Sequence, residues 1–389
     1  MISAVLDNRR FRSWGGQILL LGGFAALLLW LVMNTVTNLD ARGIRVGFDF
    51  LWRRANFPIS ESVLPYDPSD SFFWAYVTGV GNTLAISALA IFLSTALGLL
   101  VGLARRSKHP LTSGVAGVFV TTMRNMPLIV HLLFWYALAT TALPAPREAY
   151  NPLPGVFLSL RGFYIPALEL DATAWLMIGL VILVTLGAWR LRHLMMGTGR
   201  WRDRHPVLAL FGLTAVVALG AALLFQPSAV ISLPEMRGFN FTGGLRLSPE
   251  FAALMLGLVI YTSAFIGEII RGGIDAVSIG QWEAGRAIGL SERHTLTKII
   301  IPQALRIIIP PMTSQYLSTV KNTTLALAVG YPELGLVVGT VINQTGQAIE
   351  SIGLLLGIFL TISIGLAANH RVGFEKAIEQ IGFQRRVGG

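Results

Sequence analysis

Long apolar runs separated by short, mostly basic loops dominate this chain. Eight stretches reach about 18 mostly apolar residues, the length a helix needs to cross a bilayer. They lie near 17–36, 76–103, 113–143, 172–189, 206–226, 250–270, 305–329 and 351–369. The seventh is interrupted by Pro310-Pro311, Gln315, Lys321 and Asn322. Loops near 37–75, 144–171 and 227–249 are richer in proline and more balanced in charge. The pattern predicts an all-α, polytopic membrane protein of about eight transmembrane helices. The first run follows MISAVLDNRRFRSWGG, and no A-x-A-like cleavage site comes after it. A retained first span is therefore expected rather than a removed signal peptide.

Composition sharpens this picture. Apolar residues make up 53% of the 389 positions and charged residues only 13%, against about 25% in soluble domains. The net charge of +10 could mean nucleic acid, so the placement of the basic residues matters. With the N-terminus inside, twenty of the thirty Lys and Arg fall in inner segments, among them RRSKH (105–109) and RLRHLMMGTGRWRDRH (190–205). Eight fall outside, and Arg124 and Lys321 lie within spans. Positive-inside topology accounts for the charge and places both termini in the cytoplasm.

Catalytic chemistry has little to stand on. There is no cysteine and no GK dipeptide, so neither a cysteine-ligated metal site nor a G-x-x-x-x-G-K-[ST] phosphate loop can be built. The six histidines are scattered, mostly at span ends, and no metal site or catalytic residue is assigned.

The stretch EAGRAIGLSERHTLTKIIIP, Glu283–Pro302, has the punctuation of a helix–turn–helix. Gly289 can end one helix in a left-handed conformation and Ser291 can cap the next. A DNA-reading unit is one interpretation; topology instead puts the stretch at the cytoplasmic membrane face. E-A-G-x-x-x-G, nine residues, then I-x-[apolar]-P resembles the cytoplasmic loop of ABC importer permeases, with Gly285 in place of Ala and Ile301 in place of Leu. GVGNTLAISALAIFLSTALGLLVGLAR (79–105), MRNMPLIVHLLFWY (123–136), YTSAFIGEIIRGGIDAVSIGQWEAG (261–285) and KNTTLALAVGYPELG (321–335) resemble the polar amino acid uptake branch. The extra first span and inserted pair are similar to the long permease subunit of general L-amino acid importers.

The resemblance implies a type I importer core of five helices plus an N-terminal helix and an inserted pair. It divides the chain into 1–75, 76–143, an insertion at 144–249, and 250–389 with a coupling loop at about 278–302. It implies a multi-pass protein of the bacterial inner membrane that forms the pathway with a second permease subunit. A periplasmic amino acid-binding protein delivers substrate, and a cytoplasmic ABC ATPase dimer binds ATP and Mg, leaving no cofactor in this chain and no role for nucleic acid. Glu283, Ala284, Gly285, Arg286 and Gly289 are the expected ATPase-coupling residues.

Polar residues within spans are costly and become pathway candidates: Arg124, Asn125, Glu268, Lys321 and Asn322. A zwitterionic amino acid needs a cation for its carboxylate and an acid or carbonyls for its ammonium. Glu268 and Arg271, three apart, can equally pair with each other, and Arg124 can snorkel to the inner interface. A gradient-driven secondary carrier is the alternative function, and the coupling-loop spacing argues against it.

Overall fold

The computed structural model describes residues 9–41, 47–196 and 229–387, with four further helical positions between 212 and 220. The chain forms two compact units: one joins the chain up to Phe134 with the chain from Ala253, and the other is Trp135–Ala252.

In the first unit, α1 (Arg9–Ala41) is apolar from Gly16 to Asn38, and no residue of that stretch is buried. The chain after Gly47 folds onto the helices that follow. A single helical turn at Asp49–Trp52 buries Phe50, which packs with Phe57 and Phe72 against Leu334, Val337 and Val341. Helix α2 (Phe72–Arg105) starts at Ser71, whose side chain accepts the Trp74 N–H. Asn82, fully buried on α2, pins this loop: it donates to the carbonyls of Glu61 and Pro332 and accepts the Val63 N–H.

Helices α3 (Pro110–Asn125) and α4 (Leu128–Thr141) correct the single span expected over 113–143; they meet at 103°. The cause is Pro127. A proline pushes the preceding residue out of the α region, and Met126 sits at φ −89°, ψ 133°.

Among the described residues, four helices are long and apolar enough to cross a membrane: α1, α2, α6 (Pro249–Asp275) and the Ala348–Ala368 part of α11 (Ala348–Val387). The α3–α4 pair passes the same test only as a broken span. The expected seventh span is a helix, α9 (Ile301–Asn322), with Pro310 and Pro311 inside it, continued by 3-10 turns at Thr323–Ala328. Between α9 and α11, α10 (Leu334–Thr345) packs on α2, where a Cβ on Gly79 would lie 3.1 Å from Leu334 Cα.

Small residues set the crossing of α2 with α6. A Cβ on Gly98 would meet Ile266 Cγ2 at 2.5 Å, and one on Gly102 would meet the Gly267 carbonyl oxygen at 2.8 Å. Gly267 in turn lies against Val101. On the other side of α6, a Cβ on Gly273 would overlap Ile308 of α9. Ile266, Ile270, Ile274, Ile300, Ala304 and Ile308 form one buried cluster.

The second unit overturns the all-α expectation for the insertion. Eight short strands occupy its two loops: β1 (Tyr150–Leu153), β2 (Val156–Ser159), β3 (Gly162–Ile165), β4 (Ala167–Leu170), β5 (Ala229–Ser232), β6 (Glu235–Arg237), β7 (Asn240–Thr242) and β8 (Leu245–Leu247). β1-β2-β3-β8 form one antiparallel sheet, while β4 pairs with β5 and β6 with β7. The two loops thus zip together, β3 with β8 and β4 with β5, although Leu170 and its partner Ala229 are 59 positions apart. Gly155 at φ 78° and Gly238 at φ 68° make the turns that side chains disfavour. Tyr164, buried, donates to Asn240 Oδ1 at 2.7 Å and packs on Phe241. Helix α5 (Ala172–Met196) follows β4 and is apolar over Thr173–Thr185. The second inserted span, 206–226, lies outside the described residues except for the isolated positions.

Two outcomes follow. Gly102→Ala forces a methyl against backbone, an overpacking cost of about 1–3 kcal/mol, and should lower the melting temperature in detergent. Gly357→Ala, which meets nothing within 4 Å and gains helix propensity, should not lower it. Glu333, fully buried outside the spans, accepts the Leu336 N–H, and burial pushes its carboxyl up to about 7. The folded state holds that proton more tightly than the unfolded chain, so stability should fall as pH rises from about 4.5 to 7. A melting-temperature series should show this decline, and Glu333→Gln should flatten it.

Candidate functional site

The segment after α6 is a helix–turn–helix built as its sequence suggests. Helix α7 (Ile279–Ala287) ends where Gly289 turns left-handed at φ 78°. The Leu290 N–H then bonds the Gly285 carbonyl at 3.0 Å and the Gly289 N–H bonds that of Arg286, which satisfies carbonyls that a helix end leaves free. Ser291 caps α8 (Glu292–Thr295) by accepting the His294 N–H.

A wider π turn, Leu296–Ile300, joins α8 to α9. Its cause is Pro302. A proline in a regular helix removes one bond and crowds the carbonyl four residues back, here that of Lys298. The Ile301 N–H reaches instead to Leu296, five residues back. The widened turn thereby accommodates the I-x-I-P ending.

The segment is held firmly on its inner side. Trp282 packs on the isoleucine cluster shared by α6 and α9. Gln303 of α9 donates to Gln281 of α7 at 3.0 Å and to the Ile299 carbonyl at 2.9 Å. On the outer side, Glu283, Ala284, Arg286 and Gly289 are exposed. Two large apolar side chains flank them, Ile279 and Ile288, each more than 70% exposed. The face can therefore offer charge-assisted bonds from Glu283 and Arg286 beside apolar contact area.

Gly285 sits elsewhere. It is buried, and a Cβ there would lie 2.6 Å from Thr295 Cγ2. Its small size lets α7 close on α8, and it is not part of the exposed face with Glu283. Gly285 thus stands apart from the other four expected coupling residues, which are exposed.

The pathway candidates separate into two groups. Arg124, in the last turn of α3, is exposed and lies over the Phe265 ring at 5.0 Å; Asn125 beside it is also exposed. Glu268, three residues beyond Phe265 on α6, is engaged by Arg271, with Nε at 3.2 Å, and by Arg105 of α2 at 3.4 Å. That is the pairing its three-residue spacing allowed, so its carboxylate is already shared between two guanidinium groups. Lys321 and Asn322 end α9, twenty residues beyond Ile301, so they lie far along the helix from the coupling segment. Lys321 is exposed and Asn322 half-buried. The structure sets Arg124 over Phe265, one helical turn from Glu268, whereas Lys321 and Asn322 follow Thr319, which meets Thr262 six residues before Glu268 on α6. His131 is buried edge-on to Tyr261.

Sequence reasoning passed over the Arg105 end of α2 and the Asp275 end of α6. Arg105 and Arg106 had served only as topological markers, and Asp275 had no assigned role. Arg106 Nε donates to Asp275 Oδ1 at 2.7 Å, and Arg271 reaches the same carboxylate at 3.1 Å. The acids at Glu268 and Asp275, seven apart on one face of α6, were the available signal.

Comparison with known proteins agrees on one class. The family model described as "Binding-protein-dependent transport system inner membrane component" matches residues 206–370. The chain is 43% identical over 365 residues to the putative amino-acid ABC transporter permease protein YhdX of Escherichia coli (strain K12), with 92% of each chain covered. It is 35% identical over 371 residues to the general L-amino acid transport system permease protein AapQ of Rhizobium johnstonii, covering 93% of this chain and 91% of that one. It is 34% identical over 399 residues to the glutamate/glutamine/aspartate/asparagine transport system permease protein BztB of Rhodobacter capsulatus, with 94% of each covered.

The Gly285–Thr295 contact yields a paired test. Gly285→Ala gains about 1 kcal/mol of helix propensity but drives a methyl into Thr295. The single variant should melt at lower temperature than the parent, and Gly285→Ala with Thr295→Ala should recover the loss. Thermal melts of the three proteins in detergent check both.

Proposed function

The chain belongs to the binding-protein-dependent transport system inner membrane component family, as a permease of the amino-acid ABC transporter class, and from this premise we propose how it works. It is a multi-pass subunit that forms part of the translocation pathway for polar L-amino acids in the bacterial inner membrane. A second permease subunit completes the pathway, a periplasmic amino acid-binding protein delivers the substrate, and a cytoplasmic ABC ATPase dimer supplies the energy. ATP and Mg are bound by that ATPase, and this chain performs no hydrolysis.

One observation carries the proposal. The exposed face of α7, with Glu283 between Ile279 and Ile288, sits on a segment fastened to α9 through Gln281–Gln303. A helix held on one side and bare on the other suits a partner protein. When ATP closes the ATPase pair, a docked α7 moves as a rigid body and carries α9 and α6 with it. Such a switch between two packed arrangements is how domain closure reaches a distant site. A gradient-driven carrier has no use for this face.

In the pathway, Lys321 is the favoured partner for the substrate carboxylate. It is exposed within a span, and an ionisable residue there defaults to function. Arg124 and Asn125, at the broken α3–α4 joint, form a second polar point nearer the inner face. Glu268 acts as a structural acid between Arg105 and Arg271.

The test is reconstitution of the chain with its ATPase, second permease and binding protein in proteoliposomes. Uptake of labelled polar L-amino acids should require internal-face ATP, and uptake driven by an ion gradient alone would overturn the reading. Glu283→Lys should reduce copurification of the ATPase by about tenfold, the effect of losing one charge-assisted contact at a docked face.

A further inference from the structure

The first inner loop, Arg105–His109, contributes three of the six ion pairs among the described residues. Arg105 reaches Glu268, Arg106 reaches Asp275, and Lys108 reaches Glu292 at 3.8 Å. These acids follow one another along the route from α6 into the coupling segment. Asp275 ends α6 four residues before α7 begins, and Glu292 opens α8 three residues after Gly289. The loop therefore grips both flanks of the exposed coupling helix. Between loop and helix lies a cleft of about 480 Å³, lined by Arg106, Lys108, Asp275, Trp282, Arg286 and Glu292.

We propose that this loop is a second arm of the coupling device, through which movement of α7 is delivered to α2 as well as to α9. The reasoning is mechanical. Gln281–Gln303 ties α7 to α9 only. Without a polar link to α2, a push on α7 would reach α2 only through the apolar α2–α6 crossing. Arg106 supplies that link. Its side chain is about three-quarters buried, and it shares the Asp275 carboxylate with Arg271. A charge-assisted bond within a network holds better than an isolated surface pair. Lys108–Glu292 is exposed and adds orientation more than strength. Arg106 and Lys108 are thus positioning residues: neither faces the substrate or the ATP.

The proposal rests on the importer reading, and its test separates the two. The chain has no cysteine, so Lys108→Cys with Glu292→Cys provides its only thiol pair. In the reconstituted importer, a short bis-methanethiosulfonate should bridge the pair through two mixed disulfides, each formed by displacing a methanesulfinate, and a reducing agent should cleave the bridge. The bridged transporter should keep most of its ATP-driven uptake, because the two sites move as one body. Failure to bridge, or uptake lost on bridging and regained on cleavage, would overturn the proposal. Separately, Arg106→Gln should raise the ATP hydrolysed per substrate imported by about threefold, the size of one half-exposed ion pair, with ATPase copurification unchanged. An unaltered ratio would also overturn it. If Arg106→Gln does not assemble, the cysteine pair decides alone. A parent chain that retains no ATPase would instead sink the importer reading itself.

Discussion

The close approach of α2 and α6 is the constraint on which the rest of the first unit depends. In lipid there is no hydrophobic drive to bring two apolar helices together, so association relies on tight contact between small residues. Gly98 and Gly102 of α2 provide it against Ile266, Gly267 and Ile270. The same ridge continues, one turn on, into Arg105 and Arg106, while the facing ridge of α6 continues into Glu268, Arg271 and Asp275. The apolar crossing therefore sets the distance at which the charges meet. A wider crossing would pull Arg105 from Glu268 and leave half-buried charges without partners. On the opposite side of α6, Gly273 lets Ile308 of α9 close in. α6 is thus gripped from two sides, and the segment that follows it inherits a defined starting direction.

The two ends of this bundle are held by different chemistry. At the Ser71 end of α2, Asn82 makes three hydrogen bonds while fully buried, and Glu333 and Thr83 lie beside it, also buried. Breaking such a group out of its partners costs about 1–3 kcal/mol each time, so this end resists rearrangement. At the Arg105 end the ion pairs are one-quarter to two-fifths exposed, apart from the open Lys108–Glu292 pair. Pairs of that kind contribute roughly 0–1 kcal/mol each and exchange partners with water readily. A stiff end and a softer end suit a bundle that pivots, with the largest displacement where the segment after α6 attaches.

Much of this was legible in the chain because its causes are local. Four of the expected spans are single apolar helices, since about 20 apolar residues in a row have few other fates. Gly289 and Ser291 punctuate the coupling segment for reasons confined to their own φ and capping oxygen. Pro127 was equally local, yet an apolar run of thirty-one residues, 113–143, read as one span because hydropathy does not see a missing N–H. The strands of the insertion were hidden for another reason. Each has three or four residues, and each finds its partner through a loop pairing that no short window contains; β3 and β8 meet across the whole inserted helical region. The role of Arg106 was hidden likewise, since its partner Asp275 is 169 positions away.

Gly285 shows how a local departure can have a distant cause. In the resembled loop the position is Ala, which favours helix by about 1 kcal/mol over Gly, so Gly here needs a compensating gain. The gain is space. Thr295 fills the volume that a methyl at 285 would occupy, and its side chain is 1% exposed. With Thr295 seated there, α8 lies directly against α7, and the π turn that follows carries the chain past Pro302 without opening the contact. π turns often mark functional positions because they redirect a helix without breaking it. Gly285, Thr295 and Pro302 therefore form one solution: they set the angle between the face that meets a partner and the helix that leads into the membrane. Under the proposed docking, a push received at Glu283 would pass on to α9 because these three residues leave no slack behind it.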